Sequence, residues 1–162
     1  MRTSLTILFA LLITSFCVGQ EVKKVKITDL EKTIAESKTP LIVNFWATYC
    51  VPCREELPYF LSTVKKHRVD HVQLLLVSLD LPDDYKKIKP FIIKHKYTVP
   101  VQWLNETNAD YFCPLIDSSW SGGIPASLFV NNKTGYRKFF EAKLSATELN
   151  RQVDLLIDKK PK

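Results

Sequence analysis

The chain has 162 residues, a formal net charge of +6, 46% hydrophobic and 25% charged residues. That length fits one domain with its own core, and with only 4 glycines the collagen-like, glycine-linker and disordered classes are excluded. Four cysteines are too few for a disulfide-dense scaffold of this size. Residues 1–19 read as a signal peptide: Arg2 precedes an apolar stretch, Leu5 to Phe16, too short to cross a bilayer comfortably. Cleavage after Gly19 is expected, leaving 20–162 as the working domain. Acylation of Cys17 is disfavoured by bulky Phe16, and an uncleaved segment would keep the chain at a membrane.

In chain order, Val22 to Ile27 predicts a weak edge strand, and Thr28 with Glu31 a capping box opening a helix through Ser37. Pro40 introduces a buried strand, Leu41 to Trp46. The next helix carries the stripe Leu57, Phe60, Leu61 and Val64, with Pro58 as a kink. Val72 to Leu79 is apolar enough for a central parallel strand. Asp83 to Lys96 reads as helix interrupted at Pro90, followed by a short strand at Val101 to Leu104. Tyr111 to Pro114 reads as a loop. Ser127 to Val130 and Tyr136 to Phe140 form a hairpin around Asn131 to Gly135, and Ser145 with Glu148 caps a last helix. Strands alternating with helices, then a hairpin and a helix, predict an α/β sandwich on a mixed sheet.

Chemistry concentrates at Cys50-Val51-Pro52-Cys53, directly after a buried strand and at the start of a helix. A helix N-terminus favours an anion, which lowers a thiol's pKa and makes a thiolate available. Pro52 suits a first helical turn, where no N–H is needed. Cys53 is close enough in sequence to resolve a mixed disulfide formed at Cys50. Three other readings stay open: half of a zinc site, an inert structural disulfide, and a soft-metal carrier site. No second Cys pair accompanies the first, so no metal is assigned. His67, His71 and His95 read as surface residues. The lysines are scattered and not interleaved with aromatics, so no nucleic-acid partner is expected.

Phe45-Trp46-Ala47-Thr48-Tyr49-Cys50-Val51-Pro52-Cys53 resembles the thioredoxin-superfamily signature FWAxWCxPC. Pro58 matches the family's helix-kinking proline, and Gly123-Ile124-Pro125 resembles its cis-proline loop. Arg54-Glu55-Glu56-Leu57-Pro58 and Val43-Asn44 are most similar to the exported TlpA- or ResA-like branch. Tyr49 departs from the more usual Trp, and Asn44 stands where cytosolic members carry a buried aspartate.

The resemblance implies a thioredoxin-like three-layer sandwich, a central mixed β-sheet flanked by helices, with a central insertion. It also implies an exported, periplasmic thiol-disulfide oxidoreductase, with reductase as the expected direction and oxidase or isomerase the alternative. A non-catalytic binding module of the same fold is the competing reading. Cys50 is expected to attack, Cys53 to resolve, and Glu56 to carry the Cys53 proton; an ordinary exposed carboxylate is the other reading of Glu56. Trp46, Tyr49, Pro52, Ile124 and Pro125 are expected to form the substrate groove. No metal or organic cofactor is implied. Partners would be protein thiols or disulfides and an electron-donor redox protein, with the chain a monomer. Cys113 stays open between redox thiol, intermolecular link and core filler, and Trp120 between active-site cover and loop anchor. Asn105 and Asn132 begin glycosylation sequons that matter only on a eukaryotic secretory route.

Overall fold

The structure is a computed structural model describing residues 21–158, so the expected signal peptide lies outside the described residues. Among the described residues, six strands and five α-helices follow in the order β1 (Val22–Val25), α1 (Ile27–Ala35), β2 (Leu41–Trp46), α2 (Val51–Lys66), β3 (Gln73–Ser78), α3 (Tyr85–Lys94), β4 (Val101–Leu104), α4 (Ala109–Ile116), β5 (Ala126–Asn131), β6 (Tyr136–Phe140) and α5 (Ala146–Leu156). They form one mixed sheet in the order β1-β4-β3-β2-β5-β6. The first four of these strands run parallel, and β5 and β6 pair antiparallel. The edge placement expected for β1 and the central placement expected for β3 both hold.

Strand alternation divides the core into two layers. Ile42, Leu74, Leu76 and Phe129 face α2, α3 and α5, packing on Leu57, Phe60, Ile88, Ile92, Leu149 and Val153. Val43, Phe45, Leu75, Val77 and Leu128 face α1 and α4, packing on Leu30, Ile34, Phe112 and Ile116. The three-layer sandwich is therefore present. The long stretch between Cys53 and Pro125 forms β3, α3, β4 and α4, with β4 seated between β1 and β3.

Four local expectations are corrected. Helix α1 begins at Ile27, not at Thr28: Asp29 Oδ2 accepts from the Lys26 N–H at 3.1 Å, and Glu106 Oε1 from the Ile27 N–H at 3.4 Å. Helix α3 runs unbroken through Pro90; Pro90 and Lys86, whose carbonyl loses its partner, are both exposed, so water can take its place. Tyr111 to Pro114 lie within α4, because Phe112, Cys113 and Ile116 present one buried face to the sheet. At α5, Ser145 Oγ caps the Glu148 N–H at 3.1 Å, whereas the Glu148 carboxylate turns to Arg151 and Gln152 instead of closing the box.

Candidate active site

The strand β2 delivers its residues to alternate faces, and this places Asn44 on the side of α2. Beyond Trp46 the chain turns through Ala47–Tyr49 and enters α2 with Cys50 as N-cap. Asp80, just past the end of β3, fixes that turn: its carboxylate accepts from the Thr48 N–H at 3.1 and 3.0 Å, the Thr48 hydroxyl, and the Ser78 hydroxyl at 2.7 Å. The Asp80 carbonyl accepts from Trp103 Nε1 at 2.7 Å. The site thus lies at the carboxyl ends of parallel strands, where β2 passes from a parallel to an antiparallel neighbour.

Cys50 and Cys53 form a disulfide, with Cα atoms 5.3 Å apart. Cys50 Sγ accepts from the Cys53 N–H at 3.2 Å, so an unpaired helix N–H points at the sulfur that would carry negative charge after reduction. Cys50 retains 7% of its surface and Cys53 none, and this difference decides which sulfur a partner can reach. Tyr49 and Val51, which flank Cys50, and Leu81, which shares a cleft with Tyr49, are each more than half exposed, and Pro52 is also exposed.

Glu56 is fully buried on the next turn of α2. Its Oε1 accepts from Asn44 Nδ2 at 2.9 Å, and its Oε2 from the Leu144 N–H at 2.8 Å. Asn44 Nδ2 also reaches Ser127 Oγ, 3.0 Å away across the β2–β5 pair. Burial pushes the Glu56 pKa up, against the lowering pull of these two hydrogen bonds. Among the described residues, Asn44 Oδ1 and Trp46 Nε1 are buried without a hydrogen-bond partner.

The Ile124–Pro125 peptide is cis. Ile124 is half-buried and shares a cleft of about 170 Å³ with Tyr49, Asp80, Leu81 and Gly122, so two of the expected groove residues meet there. Pro125 is buried behind it. Trp46 is different: it exposes nothing and packs on Phe91 and Tyr97, with centroids 5.5 and 5.8 Å away. It supports the thiol loop from beneath and offers substrate no surface, a correction to its expected place in the groove. A larger groove, about 1140 Å³, lies at the opposite end of the sheet among Leu41, Leu74, Val99 and Pro100, and contains no expected site residue.

Trp120 is a loop anchor: it is buried, lies 4.5 Å from the Phe45 ring and donates to the Gly123 carbonyl at 2.9 Å. Cys113 is a buried free thiol whose pKa burial pushes up to about 11. Asn132 Nδ2 donates to the carbonyls of Ile34, Ala35 and Ser37 at the end of α1, so its amide serves the fold. Of the histidines, His71 and His95 are exposed, whereas His67 is half-buried and pairs with Asp70 at 2.9 Å.

The AhpC/TSA family matches residues 12–134. This chain belongs to it. The likeness to the thioredoxin superfamily and its ResA-like branch holds for this AhpC/TSA member. It is 30% identical over 118 residues to the thiol-disulfide oxidoreductase ResA of Bacillus cereus, a match covering 70% of this chain and 64% of that protein. The chain therefore spans slightly less than two thirds of that relative's length. A thioredoxin-related protein from Neisseria meningitidis serogroup B shares the fold with a TM-score of 0.63 and 26% identity, over 76% of this chain and 88% of that one. StoA from Bacillus subtilis gives a TM-score of 0.55 and 27% identity, over 73% of this chain and 84% of that one.

Sequence reasoning missed Asp80 and Glu141, the carboxylates that hold the two loops of the site. Asp80 had a usable signal, an acidic residue at the carboxyl end of a central strand. Glu141 had none, since only the fold brings it to Ser121.

Proposed function

We propose that this family member is an exported thiol-disulfide oxidoreductase acting on protein disulfides, and that it works as a reductase. The observation that carries the reading is a disulfide at the N-terminus of α2 with only Cys50 reachable from solvent. In the reduced protein, the Cys50 thiolate attacks one sulfur of a substrate disulfide. A Cys50–substrate disulfide forms, and the other substrate sulfur leaves as thiolate. Cys53, once deprotonated, attacks Cys50 Sγ, closes the internal disulfide and releases the second substrate thiolate. Two electrons pass to the substrate, whose two sulfurs take up two protons. A donor dithiol protein then returns the pair to its reduced state by the same exchange in reverse.

Glu56 takes the Cys53 proton in this scheme. Its support is its burial on the same helix, its raised pKa and the unpartnered acceptor Asn44 Oδ1 in the same polar cluster. Asn44 itself has no titratable group. Tyr49 and Pro52 on one side, and Ile124 with Pro125 on the other, bind the substrate chain around its cysteine. Export follows from residues 1–19 acting as a signal, with a periplasm as the compartment and a monomer as the working form.

Insulin reduction driven by dithiothreitol tests the activity. Catalysed precipitation of insulin chains is expected, and a rate equal to the uncatalysed control would favour a non-catalytic module. Equilibration with glutathione then tests direction: a potential near about −270 mV fits a reductase, and one near about −120 mV an oxidase.

A further inference from the structure

Glu141 follows β6 directly, and its side chain reaches the bend Ser121–Gly123 that leads into Ile124 and Pro125. Three donors converge on its carboxylate: the Ser121 N–H at 2.9 Å, the Ser121 hydroxyl, and the Gly123 N–H at 2.6 Å. The other end of the Gly123 residue is held too, since its carbonyl accepts from Trp120 Nε1 at 2.9 Å. Trp120 is in turn wedged among Phe45, Phe112 and Phe139.

The two glycines of the bend fit this arrangement. Gly122 has φ +98°, a conformation L side chains rarely adopt. A Cβ on Gly123 would lie 2.5 Å from Glu141 Oε1, inside contact distance. The bend is therefore shaped around the carboxylate, and it supplies three of the roughly four hydrogen bonds a carboxylate can accept.

We infer that Glu141 is a positioning residue for substrate binding: by clamping Ser121 and Gly123 it fixes Ile124 in the cleft it shares with Tyr49, the residue before Cys50. This rests on the disulfide-exchange reading, in which Ile124 meets the substrate's backbone. Glu141 touches no reacting atom. Its effect is confined to substrates that have a peptide backbone to be held, and a small disulfide without one bypasses it.

The test uses the pre-reduced full chain as wild type, Glu141→Ala, Glu141→Gln and Gly123→Ala. Single-turnover oxidation is followed against a disulfide-bridged peptide over a range of concentrations, and separately against bis(2-hydroxyethyl) disulfide. In Glu141→Ala and Gly123→Ala the half-saturating peptide concentration should rise roughly tenfold while the limiting rate stays within about twofold. Glu141→Gln should fall between, and the small-disulfide rate should change by less than about twofold in all three. Thermal melts identify any variant that fails to fold, and the remaining two then carry the comparison. Peptide curves that superimpose on wild type overturn the inference, as does an equal slowing with both substrates, which would mean general damage to the dithiol. If wild-type protein reacts with the small disulfide but with no peptide, the substrate reading itself is lost, and the clamp with it.

Discussion

Glu56 and Asn44 meet inside the core, Oε1 to Nδ2 at 2.9 Å, with neither side chain exposed. A carboxylate in that position is costly when charged, and two hydrogen bonds with the weaker pull of the Lys143 charge only partly offset the loss of water. Its raised pKa brings it nearer to the range in which a base can take a thiol's proton at neutral pH. Glu56→Gln should therefore slow resolution of the Cys50 mixed disulfide by roughly tenfold or more at pH 7. Stopped-flow exchange measured from pH 5 to 9 checks this, and an unchanged profile would remove Glu56 from the chemistry.

The same group predicts a pH dependence of stability. Because its folded pKa lies above the ordinary 4.5, the folded protein keeps a proton that the unfolded chain has released. The Glu56 contribution is therefore most favourable below about pH 4.5 and declines as pH rises through the raised value. Glu55, Glu141 and Glu148, with lowered values, have the opposite sign and act at lower pH. Subtracting the urea-denaturation stability of Glu56→Gln from that of wild type isolates the slope. A difference that rises between pH 5 and 7 would contradict the assignment.

Asp80 anchors the thiol loop from β3. Asp80→Ala leaves the buried Ser78 hydroxyl and the Thr48 N–H without their acceptor. About 2–4 kcal/mol of stability should be lost, measured by urea denaturation. Asp80→Asn keeps one acceptor oxygen and should lose less.

Cys113, buried like Cys53, differs from Cys50 in offering a partner almost no surface. With its pKa pushed up to about 11, it stays a thiol near neutral pH. After reduction, iodoacetamide at pH 8 should label Cys50 well before Cys113, as read by peptide mass spectrometry. Cys113→Ala should leave the exchange rate within about twofold and lower stability by about 1 kcal/mol.

Much of this molecule is legible in its sequence where local rules and tertiary demands agree. Leu41 to Trp46 is a strand in both because an apolar run after a proline, broken only by Asn44, favours burial on both faces. The Cys50 to Cys53 segment is legible because its chemistry depends on a helix start, which the preceding strand and Pro52 announce. The failures arise where distant residues decide. The start of α1 is set by Asp29 in its first turn together with Glu106 and Asn105, far along the chain, and not by its own threonine. Helix α4 contains Pro114, which local rules treat as a breaker, yet its buried face of Phe112, Cys113 and Ile116 outweighs one lost bond on the exposed side. Glu56 also reads as an exposed carboxylate until the Leu144 N–H, just ahead of α5, closes over it. Trp46 carries a family signature but not a surface, because strand alternation turns it into the layer beneath the loop.

In the proposed chemistry Cys50 attacks a protein disulfide and Cys53 resolves the product. Incubating reduced Cys53→Ser protein with insulin, quenching in acid and mapping the adduct by mass spectrometry tests it most directly. An insulin chain disulfide-bonded to Cys50 is expected, stable without Cys53 and absent from the Cys50→Ser variant. No adduct, or an adduct carried by Cys113, would contradict it.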